Sequence, residues 1–199
     1  MTTRKSLLED AKQNTNSEAW LQLHGIYEPL IVGWVFRAGI DESDVSDVTQ
    51  EVLTALCQEL TNFEHNGRTG AFRNWLKMIT VNRCRRYWSS KKKKGVTETA
   101  LVGHSGLRML DDLEDPKSDF SILWKDEHDR YVFENVLKLI QNEFEPQVYD
   151  VFVRNTLNDE SPEAIAGSLG ITISRVYKIK FRVMQRLKHV ADGLLDGDR

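Results

Sequence analysis

Residues 161–190, SPEAIAGSLGITISRVYKIKFRVMQRLKHV, hold two helix starts and one helix stop close together. Ser161, Pro162 and Glu163 offer an N-cap hydroxyl, a proline at the first helical position and an acid in the first turn. The helix they open is short, because Gly170 supplies the left-handed turn that glycine adopts at least cost. A second helix starts near Thr172 or Ser174. Two helices that cross closely need a small residue at the crossing, a glycine in the turn and a β-branched residue returned to the hinge. Ala166, Gly170 and Val176 meet these requirements, and Ile165, Leu169, Ile171 and Ile179 fill the remaining core positions. The pattern is a helix-turn-helix, whose second helix reads a major groove.

Val176, Ile179, Val183, Leu187 and Val190 form the buried stripe of that second helix. Arg175, Tyr177, Lys178, Lys180, Phe181, Arg182 and Arg186 are left for the outside. Ser174, Arg175 and Lys178, near its start and beside Tyr177, reach base edges, whereas Arg182 and Arg186 meet phosphates. The plainer alternative is a basic amphipathic helix packed on a hairpin without DNA. It leaves the coincidence of the Ala–Gly–Val spacing with the cation run unexplained.

Working outward, the 199 residues carry a net charge of −3, which hides strong segregation. Seven cations and no acid lie between Arg83 and Lys94, and six cations and no acid between Arg175 and Lys188. Between the two islands, residues 101–163 hold 15 acids against 6 Lys or Arg. Two basic islands on an acidic body imply two separate anion contacts. No apolar run approaches the roughly 18 residues of a membrane span, and the polar start MTTRKSLLEDAKQNTNSEAW lacks the apolar core of a signal peptide. A cytoplasmic protein is expected. The two cysteines, Cys57 and Cys84, exclude a disulfide framework and a Cys-based zinc site, and the histidines show no ligand spacing. No cofactor, metal site or catalytic residue is expected.

Glycine and proline are scarce, and apolar residues recur at three- and four-residue steps, which predicts an all-α protein. A first helical lobe is expected over residues 17–90. It begins with Glu18–Ala38 as one or two helices with Trp20, Leu23, Tyr27, Leu30, Ile31, Trp34 and Val35 inward. A helix over Asp44–Leu60 follows, capped by Asp41 or Ser43, and then one over Ala71–Trp88. Periodicity fades over residues 91–125, where glycines, a proline and charge runs predict a flexible linker. A second helical lobe, residues 126–195, ends in the helix-turn-helix.

The first lobe carries RNWLKMITVNRCRRYWSSKKKK, residues 73–94. Phe72, Leu76, Ile79 and Trp75 supply a core face there. Arg73, Lys77, Asn82, Arg83, Arg85, Arg86, Tyr87 and Trp88 cannot all be buried. Aromatics interleaved with cations suit unpaired bases, which stack on rings while the cations follow the backbone. Lys91–Lys94 taken alone read as a solvated helix end. Asp44, Asp47, Gln50, Glu51 and Glu59 give the preceding helix an acidic outer surface, which fits a protein-binding face or a solvated one. Cys84, among Arg83, Arg85 and Arg86, is a small apolar residue or a thiol of lowered pKa.

DVSDVTQEVLTALCQEL followed by FRNWLKMITVNRCRRYW resembles region 2 of the extracytoplasmic-function sigma factors of bacterial RNA polymerase. Asp44, Asp47, Val48, Gln50, Glu51 and Val52 match its acidic helix, and Phe72, Trp75, Leu76, Ile79 and Asn82 its aromatic–basic helix. Residues 161–188 resemble region 4 of the same family, so the resemblance covers residues 17–195. It implies docking of Asp44, Asp47, Gln50 and Glu51 on the β′ clamp helices of core RNA polymerase. It also implies recognition and melting of a minus-ten promoter element by the His65–Thr69 loop with Arg68, and by Asn82, Arg83 and Arg86, with Tyr87 or Trp88 as stacking groups. Region 4 would read a minus-thirty-five element through Ser174, Arg175, Tyr177, Lys178, Arg182 and Arg186, and touch the β-flap. The linker would pass near the RNA exit path, and an anti-sigma factor is a further expected kind of partner. Where the family often has Lys or Arg, this chain shows Ile179 and Phe181.

Three other readings compete. A helix-turn-helix regulator acting without polymerase leaves the aromatic–basic helix unexplained. A nucleic-acid-processing enzyme needs converging carboxylates or a nucleophile with its base, and none converge by sequence. A purely structural helical adaptor predicts no DNA binding at all.

Overall fold

The computed structural model describes residues 6–13, 17–65, 68–93 and 100–195, and among these it forms α-helices and no strand. The all-α expectation holds. In chain order the helices are α1 (Leu7–Gln13), α2 (Glu18–Arg37), α3 (Glu42–Leu60), α4 (Ala71–Lys93), α5 (Ala100–Glu114), α6 (Asp119–Gln141), α7 (Pro146–Thr156), α8 (Pro162–Leu169) and α9 (Ile173–Val190).

Capping sets most of the boundaries. The Ser17, Ser118, Ser161 and Thr172 hydroxyls each accept from a backbone N–H three residues on, at the starts of α2, α6, α8 and α9. α2 runs unbroken through Pro29. Gly170 ends α8 at φ 63°, and the N–H of Ile171 reaches back to the Ala166 carbonyl at 3.1 Å. The small cluster beneath the α8–α9 turn is Val151, Ile165, Ala166 and Val176, with Leu169, Ile171 and Ile179 packed against it. These are the helix-turn-helix core positions expected from spacing, joined by Val151 from α7. Asp41 precedes α3 as its N-cap residue but makes no side-chain cap bond. Its carboxylate is instead taken by the Tyr87 hydroxyl at 2.8 Å and the Lys91 ammonium at 2.9 Å.

Within residues 91–125, where a flexible linker is expected, the described residues are largely helical. α5 occupies much of it, and α6 begins at Asp119 rather than near Asp126. Gly106, which reads as a linker glycine, is a packing device: a methyl group there would lie 2.0 Å from the Ala38 carbonyl oxygen. Glycine thus lets α5 approach the end of α2 more closely than any side chain allows. Met109, Leu110 and Leu113 then bury against the first lobe. Gly106→Ala is expected to cost about 1–3 kcal/mol, the usual penalty of overpacking. A thermal melt checks it.

Nor are the lobes separate bodies, since one continuous core runs from α1 to α9. Trp34 of α2 and Trp124 of α6 meet with ring centroids 5.0 Å apart, both fully buried. Behind them Arg73 pairs with Asp129 at 2.6 Å, and Lys77 donates to the Ser121 hydroxyl at 3.1 Å. His128, completely buried, lies 3.0 Å from both the Tyr27 hydroxyl and Asp129. A carboxylate only accepts, so His128 Nδ1 carries the proton that faces Asp129, while Nε2 lies against the Tyr27 hydroxyl. Burial pushes the Tyr27 phenol well above its ordinary range, which keeps it a donor. Burial would also raise the Asp129 carboxyl, but its bonds from His128 and Arg73 outweigh that and hold it low. Its contribution is therefore present above the ordinary carboxylate range and lost as pH falls through its lowered value.

Candidate nucleic-acid and polymerase interface

α3 and α4 lie side by side, and their outer surfaces enclose a groove of about 530 Å³. Asp47, Gln50, Glu51, Thr54, Ala55 and Gln58 line it from α3, and Arg83 and Arg86 from α4. The spacing explains the division. Val45, Val48, Val52, Leu56 and Leu60 take the inner face of α3, so the polar residues between them turn outward. Phe72, Leu76, Ile79 and Cys84 do the same for α4. The groove joins the expected docking acids to the expected minus-ten cations, which no spacing argument brought together. Neither Arg83 nor Arg86 makes an ion pair among the described residues.

Two further cations of the first basic island, Arg85 and Lys91, are engaged within the chain. Arg85 pairs with Asp111 at 2.6 Å and with Glu114, tying α4 to α5. Lys91 lies 2.9 Å from both Asp41 and Asp44 and 5.2 Å from the Tyr87 ring. Arg73 and Lys77 are buried in the seam with α6, where burial and then Arg73 lower the Lys77 pKa. Lys92 and Lys93 are exposed, and Lys94 lies outside the described residues. Asn82 is exposed on α4, and His65 and Arg68 are exposed in the loop before it. Positions 66 and 67 of that loop lie outside the described residues.

Two expected stacking groups are turned inward. Trp88 is buried and donates from Nε1 to the Ala38 carbonyl at 3.1 Å. Tyr87 is half-buried; its hydroxyl donates to the carboxylates of Asp41 and Asp44, at 2.8 and 2.9 Å. Burial, then those carboxylates, push its pKa up to about 12. An indole with a satisfied N–H and a phenol between two acids are structural clasps, and in this arrangement neither ring faces a base. Asp44 belongs to the same clasp and stands apart from the groove that holds Asp47, Gln50 and Glu51. Cys84 is also inert. It has no exposed surface, and burial pushes its thiol up to about 12 despite the arginines beside it in sequence. Native protein is expected to leave Cys84 unmodified by a maleimide and denatured protein to react, as mass spectrometry will show.

In the second lobe Ser174, Arg175, Tyr177, Lys178 and Arg182 are exposed on α9, opposite the buried Val176, Val183, Leu187 and Val190. Arg182 stacks 5.6 Å from the Phe144 ring centroid, and Arg186 is clamped by Glu143 through two bonds of 2.7 Å. Sequence reasoning missed these anchors because Phe144 and Glu143 sit in the turn between α6 and α7.

Among the described residues no helix is long and apolar enough to cross a membrane, and no cluster of His, Cys, Asp and Glu is built to hold a metal. No curated protein matches this sequence. Residues 23–94, from within α2 to the end of α4 and so including the whole α3–α4 groove, match the family described as Sigma-70 region 2.

Proposed function

We propose that this protein is a non-catalytic sigma factor of the extracytoplasmic-function type, which binds core RNA polymerase and directs it to a specific class of promoter. The observation that carries the reading is the Sigma-70 region 2 match over the α3–α4 groove, in a chain whose short α8 turns through Gly170 into the basic α9. In this reading Asp47, Gln50 and Glu51 dock on the β′ clamp helices. Arg83 and Arg86, across the groove, take the backbone of the minus-ten strand, with Asn82 and the His65–Thr69 loop at its bases. α9 acts as region 4, with Ser174, Arg175, Tyr177 and Lys178 at base edges of the minus-thirty-five element. The α6–α7 turn holds Arg182 and Arg186 in place for phosphates. The β-flap and an anti-sigma factor are further partners, and the cytoplasm is the site of action.

The test is retention of core RNA polymerase on the immobilised full chain. A helix-turn-helix regulator independent of polymerase retains none. A second measurement addresses α9. Arg175→Ala and Lys178→Ala are each expected to weaken binding to the specific upstream element by about 1–3 kcal/mol, the worth of a good base contact, with a smaller loss on random duplex. Equal losses on both DNAs would make them phosphate contacts.

A further inference from the structure

The recognition helix exposes a row of large apolar side chains, of which the functional reading above uses only Tyr177. Phe181 is 65% exposed, Tyr177 55% and Ile173 41%. They stand at successive four-residue steps and therefore form one stripe along α9. Counting about 100° per residue, Ser174 and Lys178 lie about 20° and Phe181 about 40° from the direction opposite Val176, Val183 and Leu187. Phe181 thus lies on the outward face, with Tyr177 at its edge and Ile173 turned toward the buried side, about 60° from it. Arg175 and Arg182 occupy the other flank. An exposed phenylalanine gains nothing for folding, and here it stands among the exposed cations Arg175, Lys178 and Arg182.

Resting on the reading of α9 as the helix that enters the duplex, we infer that Phe181 and Tyr177 recognise the 5-methyl groups of thymines in the major groove, and so set this protein's upstream sequence preference. The thymine methyl is the one apolar feature that base pairs present in that groove, and aromatic and aliphatic side chains read it by contact. The cations flanking the stripe supply the phosphate attraction that a row of rings lacks. A partner protein docking on the same stripe would be repelled by Arg175, Lys178 and Arg182 unless it were acidic. DNA satisfies both the rings and the charges. Lys178, a helical turn from Phe181, places a guanine contact beside the thymine contact.

The experiment uses the full chain with core RNA polymerase. Duplexes are selected from a randomised library, and the enriched sequence is resynthesised with deoxyuridine replacing thymidine one position at a time. Affinity is expected to fall about fourfold for each methyl that Phe181 or Tyr177 covers, the factor for burying one such group. Phe181→Ala abolishes that difference at one or two positions in the upstream element, whereas Phe181→Leu keeps part of it. Phe181 is exposed, so neither variant threatens the fold. An enriched upstream element whose thymines and deoxyuridines bind alike, or a difference that survives Phe181→Ala, overturns the inference and leaves α9 as a DNA-reading helix. Failure to enrich any upstream element overturns both.

Discussion

Glu51→Lys is expected to weaken retention on core RNA polymerase by about 100-fold or more while leaving the melting temperature unchanged. Glu51 is exposed on α3, lines the groove with Asp47 and Gln50, and makes no hydrogen bond or ion pair among the described residues. Replacing such a residue moves folding stability by only about 0.5 kcal/mol. At a docking surface the same change sets a cation against the cations meant for the acid, a juxtaposition that costs several kcal/mol. It also places a third positive charge in a groove that already holds Arg83 and Arg86. Glu134→Lys, the same charge change at an exposed position on α6, is the control and should leave retention intact. Undiminished retention of the Glu51→Lys protein removes the α3 groove from the docking surface.

Trp124→Ala carries the largest expected effect on stability. The side chain is fully buried against Trp34 in the seam between α2 and α6, and its indole N–H has no hydrogen-bond partner. The loss is therefore one of packing and cavity, with no broken hydrogen bond, and falls in the range of about 3–5 kcal/mol for large-to-alanine changes in a core. For a chain of this size that lowers the melting temperature by roughly 10 °C. Removing the ring also loosens the seam between α2 and α6. Thermal melts with hydrogen exchange of the α2 and α6 amides separate the possibilities. Uniform loss of protection means that the two lobes unfold as one unit. Loss confined to α6 and the helices after it means that the second lobe detaches first.

The sequence made some features of this molecule readable and concealed others for physical reasons. The helix-turn-helix was legible because each position depends on local chemistry: a hydroxyl cap at Ser161, a left-handed glycine at 170, a β-branched residue at 176. The acidic outer face of α3 was legible from its period for the same reason. α5 and the start of α6 were harder to read, because Gly106 and Ser121 stand in the core among Met109, Leu110, Leu113 and Trp124. Ser121 and His128 are almost fully and fully buried yet polar, and each draws one of its partners from far along the chain, Lys77 and Tyr27 respectively. Gly106 looked like a break in the helix and is instead a point of close contact. Trp88 and Tyr87 misled in the opposite sense. An aromatic beside cations has the composition of a base-stacking platform, and only the positions of Ala38, Asp41 and Asp44 reveal that both rings are already occupied. Charge was misleading in the same way. Arg73, Arg85 and Lys91 appear as free cations in the sequence and are paired in the fold, which leaves Arg83 and Arg86 as the cations of the groove.

The central claim is that the α3–α4 groove and α9 together give core RNA polymerase a promoter preference. It is tested most directly by run-off transcription with core polymerase, with and without this protein, on sheared DNA from its own genome. The account predicts discrete new start sites that appear only when the protein is present, each preceded by the same two sequence elements at a fixed spacing. An unchanged set of transcripts, with core polymerase passing unretained over the immobilised protein, would contradict it.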